Sequence, residues 1–355
     1  MTTPLDRTRA LLNTPPTPPV PGQLDLQEHT VTDRTTISLC TGVGALDKAV
    51  EHLTGATTAV YAEKDPHAAQ VMATLLPGIV NLGSIDQINY RDVAARYPTL
   101  RTLVTGWPCQ GISNNGHRLG LDDPRSGLWR NVAQAIDVIR PDEVFLENVA
   151  ALKRRGLDVV SDHVNRLGYD LFWTITYASS VGAPHGRPRF LGYAVPGAGV
   201  TIEVPAPAPT VEPVARLLPT PKASDGPNGG PNQRDGQGNY YLPGLAVRLD
   251  ENWRAPELGP DYDYAPAIRR WEHVLGRPAP APTSPDARGN LRISPRFTEW
   301  VMGVDEGVIT RHTDMPRPEQ IKRAGNSVVT LQAIAGHAAL RAAAGACQQP
   351  ASLAA

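Results

Sequence analysis

The chain has 355 residues, and its acidic and basic side chains nearly cancel to a formal net charge of -1. This balance excludes a strongly basic protein that binds nucleic acid over its whole surface, but it allows a local basic groove. Three cysteines without metal-ligand spacing predict no metal site and a reducing compartment. We find no apolar run long enough for a membrane span and no signal-peptide core, and therefore predict a cytoplasmic protein with no membrane partner.

The N-terminal part of the chain predicts a cradle for a nucleotide-like ligand. Residues 1–34 are polar and proline-rich, so we expect a flexible arm. A strand is predicted at residues 36–40, followed by the glycine turn 41–45 and a helix, although the third glycine of a dinucleotide fingerprint is missing. The next strand ends at Glu63, and Asp86 follows the presumed third strand. Carboxylates at strand ends commonly bind ribose hydroxyls, although either one alone is more often a solvated loop residue.

A thiol and a carboxylate are predicted at one edge of the sheet. Gly106 and Pro108 stop a buried strand, so Cys109 should lie on a loop at the carboxyl end of that strand, where open α/β sheets bind ligands. A cysteine there is either a nucleophile or a small buried hydrophobe. A helix over residues 128–139 and a further strand then lead to Glu147. This carboxylate is either part of the same site or a charge at a helix N-terminus.

Several motifs, taken in order, resemble those of the DNA (cytosine-5) methyltransferases of bacterial and bacteriophage type. They are Gly-Val-Gly at 42–44, Glu63, Gly-Trp-Pro-Cys-Gln at 106–110, Asp-Pro-Arg at 123–125, Glu-Asn-Val at 147–149, His-Gly-Arg-Pro-Arg at 185–189 and Gly-Asn-Ser-Val-Val at 325–329. The resemblance covers about residues 36–195 and 291–336. Four positions depart from the family pattern: Cys40 replaces an aromatic residue, Ala45 a glycine, His185 a glutamine, and Trp107 a proline or phenylalanine.

The resemblance implies a catalytic mechanism. A methyl group would pass from S-adenosylmethionine to carbon-5 of a flipped-out cytosine in duplex DNA, through a covalent adduct of Cys109 with carbon-6. Glu147 would hold or protonate ring N3, and Asn148 would position that carboxylate. Arg189 would donate to the cytosine carbonyl, and Arg187 would support the site or a phosphate.

The resemblance also implies a Rossmann-like α/β fold, with a mostly parallel sheet, that binds S-adenosylmethionine. Glu63 is expected on the ribose and Asp86 towards the adenine amine. The whole implied cofactor pocket comes from the glycine turn, the strand ends and the C-terminal motif: Cys40, Gly42, Gly44, Ala45, Leu46, Glu63, Lys64, Asp86, Gly106, Pro108, Leu128, Asn326 and Ser327.

We predict four segments. They are the flexible arm 1–34, a catalytic and cofactor-binding domain 35–195, a small irregular target-recognition domain 196–290, and a C-terminal segment 291–355 that returns to the catalytic domain. The third segment is rich in proline and glycine and poor in hydrophobic periodicity. Its candidates for DNA contact are polar or basic: Lys222, Asn228, Asn232, Gln233, Arg234, Asn239, Arg248 and Arg254.

The expected partner is duplex DNA, bound by a monomer, with a restriction nuclease as a candidate companion. Three alternatives stay open at this point. A related branch methylates transfer RNA, although Ser113 and the long variable region favour DNA. A catalytically silent DNA-binding relative is disfavoured by the intact Cys109, Glu147 and Arg189. A nicotinamide dehydrogenase would need the full glycine fingerprint.

Overall fold

The computed structural model of the protein describes residues 34–108 and 127–348. Most of the predicted N-terminal arm and the predicted nucleophile Cys109 lie outside these ranges. No helix within them is long and apolar enough to cross a membrane.

A central sheet organises the described residues. Its strand order is β3-β2-β1-β4-β5-β7-β6-β8, and the first five strands of this order run parallel to one another. Strand β7 is antiparallel to both of its neighbours, and β8 is parallel to β6. The strands are β1 (Thr35–Leu39), β2 (Thr57–Ala62), β3 (Val80–Asn81), β4 (Leu100–Thr105), β5 (Glu143–Val149), β6 (Tyr169–Tyr177), β7 (Pro188–Pro196) and β8 (Thr201–Glu203). This confirms the predicted α/β class with a mostly parallel sheet.

Helices cover both faces of this sheet, which explains why β1 and β4 are almost continuously buried. Helices α3, α4 and α6 pack on one face, and α1 and α11 pack on the other. The helices are α1 (Ala45–Thr54), α2 (Pro66–Leu75), α3 (Tyr90–Arg96), α4 (Trp129–Ile139), α5 (Leu152–Arg155), α6 (Leu157–Arg166), α7 (Leu242–Ala246), α8 (Ala265–Leu275), α9 (Pro295–Val301), α10 (Arg317–Asn326) and α11 (Thr330–Gln348).

The structure moves the predicted boundary between the catalytic and recognition segments. Strand β8 pairs with β6 as the edge strand of the main sheet, so the sheet continues to Glu203 rather than ending at Val195. A short loop that contains Gly197 and Gly199 leads from β7 to β8. Backbone pairing of a three-residue strand leaves little hydrophobic signal in the sequence.

A second hydrophobic core joins the predicted recognition segment to most of the C-terminal segment. The indole of Trp271 on α8 lies in this core, and its Nε1 donates to the carbonyl of Trp300 on α9 at 2.9 Å. The predicted division at residue 290 therefore falls inside one core, between β9 (Thr283–Pro285) and β10 (Leu291–Ile293), which pair with each other. Helix α8 was not predicted, although its buried residues recur at helical spacing.

A buried carboxylate holds one loop of this second core. Glu299 on α9 is 2% exposed, and its two oxygens accept hydrogen bonds from the backbone N–H groups of Gly307, Ile309 and Thr310. The Thr310 hydroxyl donates to it as well, at 2.8 Å. The loop after α9 is thus fixed by four hydrogen bonds to one side chain, and Ile309 enters the core completely.

Helix α11 returns to the first domain. It packs against α1, β6 and β7, and it covers the sheet face that contains Phe145 and Leu191. Near its C-terminal end, Arg341 bonds to the carboxylate of Glu143 at 3.0 Å and to the carbonyl of Leu53 at 2.7 Å. These contacts tie the last described helix to the first helix and to the start of β5.

Candidate cofactor pocket and active site

A cavity of about 620 Å³ opens at the carboxyl ends of β1, β2, β4 and β5. This volume lies within the range of small-molecule sites. Gly44, Asp86 and Arg187 are not among the lining residues. Most of the predicted site residues do line the cavity: Cys40, Gly42, Ala45, Leu46, Glu63, Lys64, Gly106, Pro108, Leu128, Glu147, Asn148, Arg189, Asn326 and Ser327.

The carboxylate of Glu63 fixes the backbone of the glycine turn after β1. Gly42 has a φ of +61°, and a side chain on it would meet no atom within 4 Å, so the backbone here leaves room for a ligand. Its N–H donates to Oε2 of Glu63 at 2.8 Å, while Oε1 accepts from the N–H of Asp65. Gly44 serves packing instead, because a Cβ there would lie 3.1 Å from the sulfur of Met72 on α2.

Glu147 and Arg189 form an ion pair at one end of the cavity. Strand β5 continues to Val149 through its pairing with β7, so Glu147 lies within a strand, and the alternative of a helix N-terminal charge is wrong. The register places the two side chains on one face, with Arg189 Nε 2.8 Å from Glu147 Oε1. Burial raises the pKa of Glu147, and Arg189 and Arg187 oppose that rise. Gly106 admits this carboxylate, because a Cβ would lie 3.0 Å from its Oε2.

Asn148 positions the backbone that leads to Cys109, rather than the carboxylate of Glu147. Neighbouring strand residues point to opposite faces, and the Asn148 amide donates to the carbonyl of Trp107 at 3.0 Å. The Trp107 ring packs against Trp129 with ring centroids 4.8 Å apart. The end of β4 is therefore anchored two residues before Cys109, and the role predicted for Asn148 is corrected.

Comparison with known proteins agrees with this arrangement. Residues 34–203 match the family model described as C-5 cytosine-specific DNA methylase. This part of the chain belongs to that family. The match includes the glycine turn, the strand that carries Glu147, and Arg189. The resemblance inferred from the motifs is thereby confirmed, and residues 34–203 are called the methylase domain below.

The relatives match parts of the chain. The Type II methyltransferase M2.BsuMI of Bacillus subtilis is 28% identical over 163 residues, which is 44% of this chain and 40% of the relative. The Type II methyltransferase M.NgoBI of Neisseria gonorrhoeae is 29% identical over 211 residues, which is 58% of this chain and 61% of the relative. The matched region thus spans less than two thirds of the length of these relatives.

Solved structures agree on the fold. A putative DNA modification methyltransferase from an E. coli prophage superposes with a TM-score of 0.54 at 16% identity, over 88% of this chain and 99% of that chain. DNMT2 of Spodoptera frugiperda superposes with a TM-score of 0.53 at 14% identity, over 86% and 99%. These similarities confirm the predicted fold of the S-adenosylmethionine-dependent methyltransferases.

Asp86 and Arg187 were predicted as site residues, and neither lines the cavity. Asp86 is exposed, and Gly83, Ser84 and Ile85 line the cavity in its stead. Asp86 follows these lining residues directly, and its approach to the adenine amine stays a prediction. Arg187 is 2% exposed and donates to the carbonyls of Pro221, Gly325 and Ser327, so its guanidinium is not available to a phosphate.

Arg187 instead joins the recognition segment to the C-terminal motif. The two segments touch closely, since a Cβ on Gly325 would lie 2.4 Å from the carbonyl carbon of Lys222. Asn326 and Ser327, which follow Gly325, then reach the cavity. Glycine is thus needed at position 325 because the backbone of another segment leaves no room for a side chain.

Cys40 is a poor candidate for a nucleophile. It ends β1 with a φ of +55°, and its thiol is largely buried. Burial and the neighbouring Glu63 carboxylate raise the pKa of Cys40 to about 12, so the thiol stays protonated at neutral pH. Cys347, the other described cysteine, is exposed near the end of α11. No cluster of residues that could hold a metal ion occurs within residues 34–108 and 127–348.

Several candidates for DNA contact are engaged within the protein. Arg248 donates to the carbonyls of Pro231 and Gly244, both at 2.6 Å, so it stabilises the fold of the segment. Arg234 and Arg248 both lie over the ring of Tyr240, at 3.7 and 3.9 Å from its centroid. Lys222 lies over Tyr241. These stacked cations are held in fixed positions, and sequence reasoning had no signal for this.

Proposed function

We propose that the protein transfers a methyl group from S-adenosylmethionine to carbon-5 of cytosine in duplex DNA. The observation that carries the proposal is the largely buried Glu147–Arg189 pair at the edge of a ligand-sized cavity, in a domain of the C-5 cytosine-specific DNA methylase family. A nicotinamide dehydrogenase is disfavoured, because residues 34–203 match a DNA methylase family model.

The lining of the cavity fits S-adenosylmethionine. This cofactor supplies an electrophilic methyl group when it is bound. The open backbone at Gly42 would face its amino-acid part, and Glu63 would accept from the ribose hydroxyls with the lone pairs left by its two backbone contacts. Ser84 and Ile85 would border the adenine. Asn326 and Ser327 would close the pocket on the opposite side.

The ion pair would act on the cytosine ring. Carbon-5 of cytosine is too weak a nucleophile, and addition of the Cys109 thiolate at carbon-6 turns it into an enamine carbon. Negative charge then develops towards N3, where a proton held by Glu147 would stabilise it. Because burial raises the pKa of Glu147, the carboxyl is suited to carrying that proton. Arg189 would orient it and donate to the cytosine carbonyl. Once the enamine carbon-5 has taken up the methyl group, a base would remove the carbon-5 proton and the thiolate would leave.

The target base lies inside the duplex and must be flipped out to reach this site. The segment that follows β8, whose apolar side chains pack into the second core, is the part of the chain that would read the DNA sequence. We place recognition of the DNA sequence between residues 204 and 290. We further propose that the protein acts as a monomer, with a restriction nuclease as its candidate companion. Exchange of this segment with that of a relative should change the methylated sequence and leave the chemistry intact.

A methyl-transfer assay tests the reaction. Purified protein is incubated with isotopically labelled S-adenosylmethionine and either pooled genomic duplex DNA or bulk transfer RNA, and the nucleosides are identified by mass spectrometry. We expect labelled 5-methylcytosine in DNA. Glu147→Gln should lower the rate at least a hundredfold, while Glu306→Gln, which changes an exposed loop residue, should not. Label in transfer RNA alone would favour the RNA branch, and label in neither substrate would favour a silent DNA-binding relative.

A trapping experiment tests the covalent step. In duplex DNA with 5-fluorocytosine at the target, carbon-5 carries no proton to remove, so the adduct should persist as a denaturant-resistant complex. Cys109→Ser should abolish it, because a hydroxyl is a far weaker nucleophile at neutral pH. Cys40→Ser should still form it. An adduct mapped to Cys40 or Cys347 would overturn the assignment of Cys109.

A further inference from the structure

One acidic side chain on the wall of the cavity takes no part in the contacts above. Asp47 is the third residue of α1, lines the cavity and is only 9% exposed. Neither of its carboxylate oxygens has a hydrogen-bond partner among the residues that the structure describes. An unpaired buried carboxylate is strongly unfavourable unless something compensates for it. A hydrogen-bond donor or a cation on a bound ligand would compensate for this buried carboxylate.

The polar groups around Asp47 are already engaged. The Ser38 hydroxyl donates to the hydroxyl of Thr41 at 3.0 Å, and both residues line the cavity with Asp47. Lys48, the next residue on α1, forms an ion pair with Asp305. Burial raises the pKa of Asp47 to about 6, the nearby Ser38 hydroxyl opposes that rise, and the carboxylate of Glu51 adds to it. A cation beside the carboxylate would favour the ionised form.

Two carboxylates that line the cavity thus differ in their surroundings. Both oxygens of Glu63 accept backbone N–H groups, which suits a carboxylate that shares hydroxyl donors with the protein. No described donor lies in good hydrogen-bonding geometry to the oxygens of Asp47, which suits a group with several N–H donors and a positive charge. Within S-adenosylmethionine, the α-ammonium is the group that offers both.

We propose that Asp47 binds the ammonium group of the cofactor's amino-acid part. The assignment rests on the proposed function, because it requires that S-adenosylmethionine occupies this cavity. Asp47 stands on the first turn of α1, directly after the glycine turn that would face the same part of the cofactor. Charge pairing in a water-poor pocket then links cofactor binding to the ionised state of a carboxyl that is otherwise isolated.

Calorimetry with three ligands tests this role. S-adenosylmethionine carries the ammonium and the carboxylate, its decarboxylated form carries the ammonium alone, and 5′-methylthioadenosine carries neither. Asp47→Asn should weaken binding of the first two ligands by about tenfold to a hundredfold and leave 5′-methylthioadenosine within about twofold. Asp158→Asn, which changes an exposed carboxylate in the first turn of α6, should leave all three unchanged.

The outcomes separate this inference from the proposed function. If the wild-type protein does not bind S-adenosylmethionine, the proposed function fails. If the wild type binds it and Asp47→Asn binds it equally well, the role of Asp47 is overturned. Equal weakening of all three ligands would overturn it too, since that result indicates damage to the pocket rather than loss of an ammonium contact.

Discussion

The carboxylate of Glu299 provides a sharp test of how the second core is stabilised. It accepts four hydrogen bonds at 2.6 to 3.2 Å from the loop that follows α9. Hydrogen bonds to charged groups contribute about 1.5–3 kcal/mol each, but those to one side chain are not additive. We therefore expect Glu299→Ala to lower the free energy of unfolding by about 4 kcal/mol. Glu299→Gln should cost about 2 kcal/mol, because its amide replaces one acceptor oxygen with a donor.

Urea denaturation followed by fluorescence measures these changes, with Glu306→Ala as the matched control. Glu306 lies exposed on the same loop, so its replacement should change the free energy of unfolding by no more than about 0.5 kcal/mol. Limited proteolysis gives a local readout, because the released loop exposes the peptide bond after Arg311 to trypsin. A loss below about 1 kcal/mol for Glu299→Ala, with unchanged cleavage, would refute the view that this carboxylate organises the loop.

Three further predictions concern the first domain and its contact with the second core. Asn148→Asp puts an anion beside the Trp107 carbonyl, and we expect kcat for methyl transfer to fall at least tenfold while calorimetry finds cofactor affinity unchanged. Arg341→Met loses the contacts with Glu143 and Leu53, and a thermal melt should show a loss of about 2 kcal/mol; no shift in Tm would contradict this. Burial, with Arg187 nearby, lowers the pKa of His185 to about 3 from its usual 6.5, so the unfolded state alone binds a proton as the pH falls from 6.5 towards 3. Stability should therefore drop by about 2 kcal/mol between pH 7 and pH 5 because of this residue, and urea titrations of His185→Gln should lack that part of the loss.

The elements around the glycine turn could be predicted because they depend on local patterns. An apolar strand, a glycine turn and an amphipathic helix follow one another within about twenty residues, and Glu63 comes directly after the next strand. The strand end before Cys109 was predictable for the same reason. These predictions needed no knowledge of contacts between distant parts of the chain.

The errors concern residues whose place is set by distant contacts. Strand β5 extends past Glu147 only because it pairs with β7, about forty residues later, and that extension turns Asn148 towards Trp107. Arg187 is placed by three carbonyls from two other segments. Asp47 did leave a signal, because a charged residue stands one turn before the buried Val50 on the inward side of α1.

Helix α11 is the last described helix to be synthesised. The part of the sheet that it covers therefore stays exposed to solvent during much of synthesis. The sheet face that carries Phe145 and Leu191 exists once β8 has been made, yet its cover comes from residues 330–348. Until then this apolar surface is available to chaperones or to another unfinished chain. The same arrangement offers a place to divide the protein: a fragment that ends before α11 and a fragment that supplies it could be brought together on demand, so that assembly itself becomes the switch for activity.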